Sequence, residues 1–99
     1  MAKEARINRK IAENLAIQAL GLMAGDAERL GAFLAATGIG PELIRQAAAE
    51  PSFLAGVLDY VCGDEALLMA LATHAEVTPQ DVEHAQAVLS GRPWQREVP

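Results

Sequence analysis

Apolar side chains recur along this chain at helical steps. Ile7, Ile11, Leu15, Ala19 and Leu22 advance by four or three residues and mark one helical face, which Ala12, Ala16, Leu20 and Met23 widen. That spacing predicts a first helix over about residues 5–24, stopped by Gly25 in the left-handed cap conformation. Asp26 then offers its carboxylate to the orphan N–H groups of a second helix, over about residues 27–37, with Leu30, Phe33 and Leu34 inward. Gly38 and Gly40 break the chain, and Pro41 suits the first position of a third helix, over about residues 41–49, with Leu43, Ile44, Ala47 and Ala48 inward. Pro51 ends that helix, because the residue before a proline avoids the helical region.

A fourth helix is predicted over about residues 52–62, presenting Phe53, Leu54, Val57, Leu58 and Val61. Gly63–Asp64 then repeats the stop and start of Gly25–Asp26. The fifth helix, over about residues 65–75, is apolar around nearly its whole circumference, the mark of a central helix. Thr78, Pro79 and Asp81 are start signals for a sixth, which ends near Ser90–Gly91. The remainder, residues 92–99, has no apolar period and two prolines. The expectation is one domain over residues 1–91 followed by a tail.

Composition supports an all-α reading. Of 99 residues, 20 are Ala and 12 are Leu, the leaders in helix propensity, and only four are aromatic. Helices so rich in Ala are thin and approach one another closely. No apolar run nears the roughly 18 residues a membrane span needs. Cys62 is the single cysteine, so the chain has no internal disulfide. The basic start followed by apolar residues is interrupted by Glu13, Asn14 and Gln18, which argues against a secretory signal. A soluble cytoplasmic protein is the expectation.

Two stretches are alike. Residues 25–47 and 63–85 align at a constant offset of 38 without a gap, with six of 23 positions identical. The identities include Gly25/Gly63, Asp26/Asp64 and Pro41/Pro79, where helix ends are made. A period of this length points to a repeated helical unit. Two units of three helices, sharing one core because neither can cover its apolar face alone, give a compact six-helix domain.

The segments LAIQALGLMAGDAERLGAFLAATGI (residues 15–39) and FLAGVLDYVCGDEALLMALA (residues 53–72) resemble domain-of-unknown-function family 3572, small bacterial proteins. The resemblance runs over about residues 15–89. It implies an all-helical fold, and it carries no activity and no catalytic residues across.

Charge and chemistry narrow the function classes. Net charge is −5, yet the first ten residues carry +3 through Lys3, Arg6, Arg9 and Lys10 against Glu4. An acidic body disfavours non-specific polyanion binding, which leaves that basic turn as the place for a phosphate. Gly38-Ile39-Gly40 resembles the turn of a helix-hairpin-helix DNA-binding module, but the equivalent Glu76–Val77–Thr78 lacks both glycines, and Arg45 is the only nearby cation. Cys62, His74, Asp81 and His84 have no tight ligand spacing, so no metal is expected; His74, in the last turn of the fifth helix, suits the helix dipole instead. Asp59, Asp64 and Glu65 are acidic neighbours without a nucleophile–base pair, and no cofactor or enzymatic activity is expected. Two residues are candidates for contact with a partner: Trp94, a large aromatic in a polar tail, and Tyr60, off the main stripe of the fourth helix. The reading is a non-enzymatic protein-interaction module, homo-oligomeric through an Ala-rich helix face. The alternative is a nucleic-acid-binding module using the basic turn and the Gly38–Gly40 hairpin.

Overall fold

The computed structural model describes residues 7–91. Among them are six α-helices and one 3-10 turn, with no strand. The helices are α1 (Arg9–Ala24), α2 (Ala27–Thr37), α3 (Ile44–Ala47), α4 (Pro51–Cys62), α5 (Glu65–Ala75) and α6 (Pro79–Ser90); the 3-10 turn is Pro41–Leu43. None of these helices is long and apolar enough to cross a membrane.

α1 begins at Arg9 rather than near residue 5. Asn8 takes extended backbone, and its side chain accepts from the Ile11 N–H at 2.8 Å, so the cap lies where the apolar period alone does not place it. The interior is built by α1, α4 and α6, which pack on one another, while α5 closes against all three and α2 lies on α1. Ala12, Ala16 and Ala19 of α1 are fully buried, so at these positions α1 meets its neighbours through methyl groups alone, between the larger buried side chains of Leu15 and Met23. Met23, Phe33, Val57, Leu58, Val61, Leu71 and Val82 fill the space between. Phe33 carries α2 into this core, with its ring edge-on to Phe53 at 6.0 Å and to Tyr60 at 5.2 Å.

Three expectations change. Gly25 and Gly63 stay in the right-handed region, with φ of −83° and −87°. Each helix stops because the following Asp turns to extended backbone and caps the next one: Asp26 accepts from the Glu28 and Arg29 N–H groups, and Asp64 from that of Leu67. α5 is not central. Its buried side is Leu67, Leu68, Leu71 and Ala72, and Met69 on the outer side is half exposed. The predicted third helix is a 3-10 turn followed by a single turn of α-helix, and it buries no side chain; Leu43 points outward.

The 38-residue likeness has a local structural counterpart. α2 and α5 are both 11 residues long, and both corners before them have near-identical backbone angles. The buried pairs Ala16/Leu54, Ala19/Val57, Met23/Val61 and Phe33/Leu71 keep the same offset. The corners also meet: the Arg29 guanidinium reaches Asp26 at 3.7 Å and Asp64 at 3.5 Å. These partly exposed pairs contribute at most about 1 kcal/mol each. The likeness ends at the third helices, where the first half has the 3-10 turn and α3, and the second has the 12-residue α6 seated on α1 and α4.

After α2 and α5 the backbone enters the left-handed region at the same offset, at Gly38 (φ 75°) and Glu76 (φ 61°). A non-glycine residue there costs on the order of 1 kcal/mol. The Val77 N–H bonds back to the Ala72 carbonyl at 2.9 Å and holds Glu76 in place. Glu76→Gly is expected to stabilise the fold by about 0.5–1 kcal/mol. Gly38→Ala is expected to destabilise it by about 1 kcal/mol. A Cβ at Gly38 meets no atom within 4 Å, so that cost is purely dihedral. Shifts of the urea midpoint in opposite directions, with unchanged slope, check the pair.

Candidate functional site

A groove of about 300 Å³ runs along the first half of α1. α1 supplies Lys10, Ile11, Asn14, Leu15 and Gln18 to one wall; Ala75 at the end of α5 and Val77 in the turn to α6 form the other. This follows from the local folding just described. The α1 period places residues 11, 15 and 18 on one side, and the left-handed step at Glu76 turns Val77 back toward α1. Leu15 is buried at the floor and Ile11 is 38% exposed at the edge. The Gln18 amide donates to Asn14 Oδ1 at 2.7 Å, which makes a polar rail one helical turn long. Lys10 adds a cation at one end, and Glu76 sits in the turn between the two residues of the opposite wall. An apolar floor with a few polar groups at its rim is the ordinary chemistry of a binding site.

The residues singled out in the sequence do not gather here. Tyr60 is half-buried and edges the core against Phe33. Trp94 lies outside the described residues. Asp81 closes a capping box with Thr78, each side chain accepting from the other's N–H at 3.0 Å. His74 is exposed in the last turn of α5. Among the described residues, no three His, Cys, Asp or Glu side chains come together as metal ligands do. Of the acidic neighbours, Asp64 caps α5 and pairs with Arg29, while Asp59 and Glu65 are exposed.

The Gly38–Gly40 hairpin is occupied by an anion of its own. A Cβ built at Gly40 would lie 2.9 Å and 3.1 Å from the two carboxylate oxygens of Glu42. A phosphate approaching that turn meets this charge. In the basic stretch, Arg9 is engaged by Glu13 at 3.6 Å.

Cys62 is half-buried at the end of α4. Burial, with the negative charges of Glu83 and Asp59 adding to it, raises its thiol from 9.0 to about 11. The folded chain therefore holds this proton more tightly than the unfolded chain. Stability that this provides below about pH 9 is lost as pH rises toward about 11. At pH 8 roughly a hundredfold less thiolate is present than at an ordinary cysteine. Greater intrinsic nucleophilicity returns part of this, so alkylation by iodoacetamide is expected to be about tenfold slower in the native protein than in urea. Equal rates would mean that the thiol is open to solvent.

The groove, the corners and all of the core except Ile7 fall inside one matched span. The sequence pattern of the family described as protein of unknown function (DUF3572) covers residues 9–92. The chain belongs to this family. The family span takes in every residue of the groove and leaves out Lys3, Arg6 and Trp94. No curated protein matches the chain. No solved structure matches it either.

The groove was not legible in the sequence, although its pieces were. Ile11 and Leu15 read as core positions of a helix, and Glu76–Val77 as a plain turn. The available clue was Glu76 itself. It stands at the offset of Gly38, so a side chain occupies a backbone position that the first half gives to glycine.

Proposed function

We propose that this protein is a non-enzymatic interaction module that docks an amphipathic segment of a protein partner in the α1/α5–α6 groove. The observation that carries the reading is the groove's make-up: an apolar lining of Leu15, Ala75 and Val77, with Ile11 exposed at its edge and an amide rail alongside. It is open along the helix rather than closed over a small molecule. Such grooves take the apolar face of a partner helix, through side chains three and four residues apart.

The two-unit architecture belongs to the same proposal. Matching corners, helix lengths and buried pairs support two like-built halves. In that scheme α6 has a seat on the core and α3, its counterpart, has none.

A photo-crosslinking side chain in place of Gln18 tests the reading, with the same group at Ala36 on the exposed side of α2 as the control. Adducts are expected from position 18 in living cells and not from position 36. Adducts from position 36 alone would move the interface to α2 and overturn the groove.

A further inference from the structure

We infer that the groove's occupant is a second copy of this chain, which inserts the Glu42–Arg45 segment of its 3-10 turn and α3. The inference rests on the groove being a docking surface, as proposed above, and adds the identity of the partner.

The first observation is an apolar projection without a seat. Leu43 is 48% exposed, α3 buries no side chain, and the principal contact of α3 is the 3-10 turn before it. At the 38-residue offset, Val82 and Ala85 at the start of α6 are buried where their counterparts Ile44 and Ala47 are only half-buried, and Leu43 stands opposite the capping residue Asp81. A chain that packs one of these segments and leaves the other projecting carries an apolar knob and an apolar groove on the same molecule.

Charge is the second observation. Leu43 is flanked by Glu42 and Arg45, one acid and one base about a helical turn apart. The groove is flanked by Lys10 on α1 and Glu76 in the opposite turn, one base and one acid. None of these four makes an ion pair among the described residues. Leu43 seated over Leu15 and Val77 brings Arg45 to Glu76, and Glu42 reaches Lys10 once its exposed side chain swings away from the Gly40 turn. The strained left-handed backbone at Glu76 then has a use, because a glycine there would leave Arg45 unmatched. Each copy offers one arm and one groove, so a two-fold pair makes the contact twice. Two contacts this small fall below the about 800 Å² per partner of a stable complex, and the dimer is accordingly weak and salt-sensitive.

Sedimentation velocity on the full chain, from about 10 μM to about 1 mM, is the test. A reversible dimer that weakens in high salt is expected. Leu43→Asp is expected to weaken it at least tenfold, with the helical circular dichroism unchanged because Leu43 is a surface residue. Lys10→Glu and Glu42→Lys are each expected to weaken self-association, since each sets like charges together. Mixing the two variants restores complementary charge at both contacts, and recovery of association in the mixture is the decisive result. A chain that stays monomeric throughout, or a dimer unmoved by Leu43→Asp and not recovered in the mixture, overturns the inference. The crosslink at position 18 separates this from failure of the groove itself. A heterologous adduct there removes the second copy and keeps the docking surface; no adduct there removes both.

Discussion

Phe33→Ala is expected to cost about 3–5 kcal/mol, the largest effect of any single truncation in this protein. Phe33 is wholly buried, and it is the only side chain by which α2 enters the core completely. Its ring also holds Phe53 and Tyr60 edge-on, and each such pair adds about 0.5–1.5 kcal/mol beyond the area buried. A domain of this size has only about 5–15 kcal/mol in total. The variant should therefore melt about 12–40 °C lower, with α2 loosened from α1 even where the rest stays folded. Phe33→Leu keeps most of the volume and loses the aromatic edges, so it should fall between. Thermal unfolding followed by circular dichroism reads both. A melting point within a few degrees of the parent for Phe33→Ala would mean that α2 is not seated as described.

Why Phe33 could be picked out in advance, and Leu43 could not be placed, shows what the sequence contained. Periodicity is a local property, and it located α2, α4, α5 and α6 to within a residue or so because Asp26, Asp64, Thr78 and the glycines around them act locally. Burial is decided by neighbours. Leu43, Ile44, Ala47 and Ala48 have the same spacing as an inward face, yet none is buried, because Pro41 starts a 3-10 turn and too few residues remain before Pro51 for a helix that reaches the core. Likewise, α5 looks central by composition. What exposes Met69 is the pairing of α1 with α4 and α6, a choice among tertiary partners that no single helix announces.

The candidate site depends on tertiary packing to a greater degree still. Its walls are five residues of α1 and a turn more than fifty residues away, so no spacing in the chain brings Ile11 to Val77. Of the two aromatic residues that stood out as partner contacts, Trp94 lies outside the described residues and Tyr60 is half-buried at the margin of the core. Large rings are favourable wherever they are buried, and Tyr60 spends its ring on Phe33.

Ala16→Leu is the converse experiment on the same core. Ala12, Ala16 and Ala19 have no exposed surface, so at these three positions only a methyl group stands between the α1 backbone and its surroundings. Leucine is nearly as good a helix former as alanine, and the change leaves the intrinsic stability of α1 almost untouched. Any loss then reports packing. Three added carbons have no space beside α1 and must force it away from helices it touches along much of its length, for a cost at or above the upper end of the about 1–3 kcal/mol typical of overpacking. Ala36→Leu makes the same chemical change on the exposed side of α2 and should stay within about 0.5 kcal/mol of the parent. The contrast separates close approach from mere alanine content. If Ala16→Leu were as stable as Ala36→Leu, the interior would have to hold a void large enough for the new side chain, and the close contact of α1 with its neighbours, on which the position of the groove depends, would be lost.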